Sequence, residues 1–415
     1  MKTFLLLGLL PLLSSQAVTV SFRHDVSGRL ISVNYDGTSR SDYAYDKNGS
    51  LLSRASTVTP PLAPPPLLAG NYAGIITNTD IHAGHTGIIS IKLTAGGTFS
   101  GKLTIQGVTH GFGGSFLADG SLDGLHVFID RKDPLLDYQL TLSLDVHGSV
   151  PSISGTLTGD VGGVVFNSGI ALQRDLYNSG GLTIGGGLVG RYTLVLLKTS
   201  SDPGIPQGTG YATLVVSSKG ALTLAGKLAN NVAITQGAQI VGMNTWPLYV
   251  PLHSSQGFIA GSLRFFPVTA PGLAVSGTLD WLKPDTTGPL HDAAFTTQLD
   301  AQGALYIPPA AGRRAMDLNG TSPNAVFTAT GGNLTAPPFI RDITIDSTNK
   351  ITAPLDPVSL KLSLSAPSGF VSGTFKPEAG VTRTVGGVIL QSARSAAGFF
   401  PGTSESGQFT LTPPP

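Results

Sequence analysis

The chain has 415 residues, with 54 glycines, 29 prolines, no cysteine and a formal net charge of +1. Only 12% of its residues are charged and its mean hydropathy is +0.20, which is too apolar for a disordered chain. Glycine without a three-residue period excludes collagen, and near-neutral charge without a basic run excludes the electrostatic footprint of a nucleic-acid partner.

Further exclusions follow from single residue types. A chain without cysteine has no disulfide, thiol nucleophile, cysteine-ligated zinc or acylated lipoprotein cysteine. A secreted eukaryotic β-protein of this size would usually carry disulfides, so a bacterial source is expected. Among the acids only Glu378 and Glu405 are glutamates. Glu favours helix, whereas Asp, Gly and Asn favour turns, so strands joined by tight turns are expected. The predicted fold class is all-β: tandem small antiparallel meander barrels or sandwiches after a short ribbon.

Residues 1–17 read as a secretory signal peptide. Lys2 precedes an apolar run from Phe4 to Leu13, and Ser15-Gln16-Ala17 supplies a small-x-small cleavage pattern. The run is too short for a membrane span of about 20 residues, and no second one follows, so no transmembrane helix is expected. The expected address is secreted, extracellular or on the cell surface of a Gram-negative-type bacterium, with the periplasm as an alternative.

Residues 18–55 contain an internal echo. Asp25-Val26-Ser27-Gly28-Arg29-Leu30 recurs as Asp46-Lys47-Asn48-Gly49-Ser50-Leu51, 21 residues later, with Phe22 before the first copy and Tyr43 and Tyr45 before the second. Each copy predicts a strand, a D-x-x-G turn and another strand, with Asp bonding backbone amides and Gly supplying positive φ. These residues resemble the YD repeats of the RHS family, with His24 and Ser50 departing from its pattern. The resemblance covers about 35 residues and implies an extracellular ancestry and a small β-ribbon. One or two copies cannot close a shell, because stacked repeats need at least about three to bury a core.

A proline-rich stretch, 56–67, predicts an extended spacer. Beyond it one hairpin recurs: an alternating strand, a Gly- or Ser-containing turn, and a strand ending in small-Gly-x-apolar. It joins 90–94 to 99–103, 140–144 to 153–157, 213–216 to 224–228, 258–263 to 275–279, and 359–363 to 371–375. A longer period lies above it. Gly70-Asn71-Tyr72 returns as Gly190-Arg191-Tyr192, Gly87 as Gly210, and Ile153-Ser154-Gly155 as Val275-Ser276-Gly277. Spacings near 120 argue for duplication. The expected modules are 68–177, 188–300 and 301–415, the last shorter or merged with the second, and 178–187 is a glycine-rich linker. Strands of about five to seven residues are expected, shorter than the 9–11 of a membrane barrel.

The second half, about 188–412, resembles an uncharacterised module of secreted proteins from Verrucomicrobia-like bacteria. The likeness rests on Trp246-Pro247-Leu248-Tyr249-Val250, on 277–284, on 387–391 and on Gly398-Phe399-Phe400. That family implies fold and address, not chemistry.

Candidate chemistry is sparse. Asp80, His82 and His85 form the one metal-like cluster, with Asp80 and His82 expected on one strand face; without Cys or a nearby Glu it reads as a polar loop, and no metal or cofactor is expected. No G-x-S-x-G nucleophile elbow occurs, and Gly402-Thr403-Ser404-Glu405-Ser406-Gly407 reads as a turn. Aspartates in turns such as Asp119-Gly120 and Asp123-Gly124 make no facing carboxylate pair. Gly185-Gly186-Gly187-Leu188-Val189-Gly190 fits G-x-G-x-x-G but opens no predicted helix. Trp246, Tyr249 and Trp281 are the candidate ligand-binding residues, as a sugar-stacking platform; strand-spaced aromatics also serve as core. The expectation is a non-catalytic structural or adhesive β-repeat protein whose partner is an extracellular or cell-surface glycan or protein. The alternative is a carbohydrate- or small-ligand-binding protein.

Overall fold

The computed structural model describes residues 20–415 except 26, 36–38, 59–65, 132–136, 162, 179–180, 183, 185–186, 269–271, 287–289, 319, 321, 336–337, 357 and 379–380. The signal-peptide residues and most of the proline-rich stretch therefore lie outside the described residues. Two compact units divide at Ala63 and Pro64. Every described element is a strand apart from the single 3-10 turns Pro66–Leu68 and Gln391–Ala393.

The first unit is a four-stranded antiparallel sheet in sequence order: β1 (Val20–His24), β2 (Leu30–Tyr35), β3 (Ser39–Tyr45) and β4 (Leu51–Val58). Its two turns are the same structure twice. Asp25 Oδ1 accepts from the backbone N–H of Ser27 and Arg29, both at 2.9 Å. Asp46 Oδ1 accepts from Asn48 and Ser50, both at 2.8 Å. Gly28 and Gly49 close the turns at φ +77° and +89°, a region that costs other residues a Cβ clash. Each hairpin also carries a bulge at the matching place, Arg23/His24 in one and Ala44/Tyr45 in the other.

The second unit holds three eight-stranded antiparallel sheets in tandem, each nearly closed into a barrel. Barrel 1 opens with β5 (Gly70–Thr77), β6 (Gly87–Leu93), β7 (Thr98–Ile105) and β8 (Val108–Ser115). It finishes with β9 (Val127–Ile129), β10 (Tyr138–Leu144), β11 (Ser152–Val161) and β12 (Val164–Arg174). Barrel 2 begins with β13 (Gly190–Lys198), β14 (Gly210–Val216), β15 (Ala221–Lys227) and β16 (Ala233–Gln239). Then come β17 (Thr245–Leu252), β18 (Gly257–Phe265), β19 (Leu273–Lys283) and β20 (Phe295–Tyr306).

Barrel 3 starts at β21 (Ala325–Gly331), β22 (Phe339–Ile345), β23 (Ile351–Thr352) and β24 (Leu360–Ser365). It ends with β25 (Phe370–Glu378), β26 (Val381–Leu390), β27 (Ser395–Pro401) and β28 (Ser406–Thr412). In each barrel the first strand pairs with the last, so the meander curls back on itself and protects its edges. The ladder gap falls between the fourth and fifth strands of barrels 1 and 2, and between the third and fourth of barrel 3.

The duplicated anchors coincide in space. Tyr72 and Tyr192 each stand on the first strand of a barrel, and each phenol donates to the carbonyl four residues back, Leu68 and Leu188, at 2.6 Å. Residue 300, the expected end of the second module, lies inside β20, which continues to Tyr306 and pairs along β13. Buried positions continue past it at Ala301, Gly303, Ala304 and Tyr306, with the alternation changing phase between Gly303 and Ala304, so nothing ends the strand at 300. Barrel 3 has an eight-stranded sheet of its own, and several strands exceed the expected length, β20 reaching 12 residues.

All five expected hairpins form, and in three of them close backbone approach explains the recurrent glycine. A Cβ on Gly155 would stand 1.9 Å from the carbonyl oxygen of Thr141 on the neighbouring strand; at Gly226 and Gly373 the corresponding figure is 2.2 Å, to Tyr211 and Lys361. Coiling brings the backbones that close, and only glycine fits. Side chains pointing inward fill each barrel: Leu103, Leu140 and Leu157 in the first, Leu194, Trp246 and Phe265 in the second, Phe327, Phe375 and Phe409 in the third.

Candidate functional site at the joint between barrels 1 and 2

The aromatic platform expected from sequence is absent. Trp246 and Trp281 are buried in the core of barrel 2. Trp246 Nε1 donates to Gln236 Oε1 at 3.0 Å, bridging the ladder gap between β16 and β17. Trp281 meets the edge of Phe295 at 4.8 Å. Strand alternation sends Trp246 and Tyr249, three residues apart, to opposite faces of β17. Tyr249 thus leaves the core and packs on barrel 1.

That contact builds a small core of its own. Tyr249, Phe258 and Ala260 of barrel 2 pack with Ile75 and Ala83 of barrel 1, flanked by Ile81, Ile88 and Leu282. Burial pushes the Tyr249 phenol up to about 12, against the opposing pull of the Gln106 and Gly107 amides. Gln106 and Gly107 form the tip of the β7–β8 hairpin, with φ of +48° and +71°. A Cβ on Gly107 would lie 2.0 Å from Ser255 Oγ, so close approach and left-handed backbone both demand glycine there. Across the joint His253, Ser254 and Ser255 all adopt left-handed φ, at +52°, +54° and +70°. Three such non-glycine residues in a row store backbone strain of the kind that concentrates at functional positions.

Beside this joint lies a cleft of about 500 Å³, with His82, Gln256, Lys283, Pro284, Phe295 and Thr296 on its walls. Lys283 is only 3% exposed, and its ammonium donates to the carbonyls of Asp292 at 2.9 Å, Pro284 at 3.0 Å and Thr286 at 3.2 Å. Desolvation lowers its pKa, while Asp285 and Asp292 pull it back. The lysine therefore pins the loop after β19 and is not free to meet a ligand. His253 Nε2 is buried without a hydrogen-bond partner, and burial, then Lys283, lowers its pKa.

Residues 78–86 form a turn, not the strand expected for Asp80 and His82. His82 Nδ1 accepts from the Gly84 amide at 3.1 Å. His85 is buried and stacks on Phe166 at 4.5 Å, with Nδ1 3.4 Å from an Asp80 oxygen. Burial, then His82, lowers the His85 pKa, which favours the neutral ring. Among the described residues no group of three His, Asp or Glu is arranged to hold a metal.

The second joint is built differently. Val195 and Tyr211 of barrel 2 pack with Val388 and Phe399 of barrel 3. Thr193 Oγ1 donates to the Ile389 carbonyl at 2.6 Å, and Gln391 exchanges two 2.8 Å bonds with the backbone of Ile307. His291 Nε2 accepts from the Ser406 amide at 3.4 Å. Neither joint was legible in the sequence, because their residues come from positions distant along the chain and look like ordinary strand residues.

No known protein family matches the chain, and no curated protein does. Among solved structures the chain is similar to the isotype 1 transferrin binding protein B of serogroup B Neisseria meningitidis. The two share 11% identity, with 91% of this chain and 84% of that chain covered at a TM-score of 0.19. A likeness that slight carries neither function nor partner across. Among the described residues no helix is long and apolar enough to cross a membrane.

Proposed function

We propose that the protein is an exported, non-catalytic structural or adhesive β-repeat protein of the bacterial cell surface or extracellular space. One observation carries this reading: three barrels filled by their own apolar side chains and fused by two apolar joints. A small barrel packed in this way has no lumen to hold a substrate. Outward positions such as Ser90 and Lys92 on β6 or Lys361 on β24 are polar, unlike the continuous lipid-facing apolar band of a membrane barrel. The signal-like N-terminus supports export, and the ribbon is read as a relative of RHS repeats and barrels 2 and 3 as relatives of the Verrucomicrobia-type secreted module.

The test is fractionation of producing cells with protease shaving of intact cells. The mature chain is expected in the medium or cleaved at the surface; full retention in the cytoplasm overturns the reading. A positive result in a broad hydrolase and lyase screen overturns its non-catalytic part.

The binding alternative moves from the buried aromatics to the cleft beside the first joint. That cleft offers apolar walls and a few polar groups, the usual make-up of a small-ligand site. A glycan array on the purified chain tests it, with Gln256→Ala and Thr296→Val expected to abolish any signal that arises there.

A further inference from the structure

We propose that the N-terminal ribbon joins copies of this chain head to tail, β4 of one copy pairing with β1 of the next. This goes beyond the structural reading by naming the partner as a second copy.

The two hairpins of the ribbon match in turn chemistry, in pairing register and in the position of their bulges, with an offset of 21 residues from Asp25 to Asp46. The contact between them, β2 on β3, is therefore one repeat docking on the next. Specific bonds fix it: Tyr45 Oη donates to the Leu30 carbonyl at 2.9 Å, and Arg29 Nη1 donates to the Asp46 carbonyl at 3.1 Å. The guanidinium of Arg29 also lies 5.2 Å from the Tyr45 ring centre. Among the described residues β1 pairs only with β2, and β4 only with β3. Each edge strand thus presents the backbone register that its counterpart already uses inside the sheet, with His24 and Ser50 standing where Tyr45 and Arg29 make those bonds, and unpaired strand edges are templates for further pairing.

The register of that next contact is fixed by the one already made. In β2–β3, Ser32 stands opposite Asp42 and Val33 opposite Ser41. Carrying this register forward by one repeat puts Ser53 opposite Ser21 of the second copy, Leu52 opposite Phe22 and Arg54 opposite Val20. Among the described residues Leu52 and Phe22 are the two most exposed apolar side chains of the ribbon, at 67% and 60%. The same docking therefore covers both, and it places no like charges opposite each other. A cross-strand aromatic–aliphatic pair of this kind favours sheet pairing.

The absence of cysteine makes the test direct. Ser21→Cys and Ser53→Cys are introduced together in the full-length chain at two exposed serines. Within one copy β1 and β4 are three strand spacings apart, about 14 Å, too far for a disulfide. Mild oxidation is expected to give a reducible ladder of dimers, trimers and higher species. Mixing chains that carry one cysteine each is expected to stop at the dimer. The shifted pair Ser21→Cys with Ala55→Cys should link several-fold less, and the unmodified chain should associate with rising concentration in sedimentation equilibrium. A monomeric unmodified chain with no ladder overturns the proposal. So does equal linking by the shifted pair, or self-linking of Ser21→Cys alone. Thermal melts of each variant confirm folded barrels. Association is read on purified chain and location on cells, so failure here is distinct from failure of the export reading.

Discussion

Val33 is the one described apolar side chain of the ribbon that is buried, whereas barrel 3 alone buries Phe327, Phe375, Phe400 and Phe409 in mutual contact. Both regions are antiparallel meanders of alternating strands with glycine-closed turns. They differ in closure. A barrel brings its first strand to its last and so encloses one face, while a four-stranded ribbon has two faces and two edges left over. Strand chemistry is thus sufficient for pairing but not for a core; the number of strands and their coiling decide that.

The largest effects should fall in the enclosed regions. Trp246→Ala is expected to cost about 3–5 kcal/mol in denaturant unfolding, from lost burial and the cavity left behind. An unchanged midpoint would mean that barrel 2 does not depend on its core. Gly155→Val should come next, at about 1–3 kcal/mol, because its side chain must displace the Thr141 carbonyl and spread β10 from β11. Gly107→Ala is expected to cost about 1–2 kcal/mol for the left-handed backbone, and pairing it with Ser255→Gly should recover only the steric part. A double-mutant cycle without coupling would show that the first joint is not closed at that point.

Response to pH separates the two regions further. His85, His110, His253 and His291 all have pKa values lowered from 6.5, first by burial. The unfolded chain therefore binds more protons than the folded one between the depressed values and 6.5. Barrel stability is full above 6.5 and falls as pH drops below it. In the ribbon, Asp25 is held below 3.8, chiefly by its bond from the Arg29 amide, so its turn is stable above 3.8 and weakens only as pH falls further. Barrel melting temperature between pH 7.5 and 5 checks the first statement, and hydrogen exchange at Ser27 and Arg29 the second. Substituting His291 should flatten part of the barrel response. The smallest effect is expected for Phe22→Ala, within about 0.5 kcal/mol in unfolding of the monomer, because its ring is already in solvent.

Local signals were reliable in the sequence. The D-x-x-G echo, the five glycine-marked hairpins and the 120-residue spacing of Tyr72 and Tyr192 all depend on neighbours within a hairpin or on an inherited copy, and each maps onto matching geometry. The site was much less legible. Trp246, Tyr249 and Trp281 carry the large amphipathic rings of a stacking platform, yet alternation on β17 and closure of barrel 2 send the tryptophans inward and the tyrosine to barrel 1. The turn at 78–86 and the strain at His253–Ser255 carried no recognisable motif.

Hairpin pairing is encoded locally, because alternation and turn residues act over a few positions. It also sets the register of the ribbon, and with it the register in which a second copy can add. Where one barrel ends, which aromatics are core, and how the barrels meet emerge from long-range packing. Those outcomes depend on bringing first and last strands together across about 100 residues, and no local pattern encodes that closure.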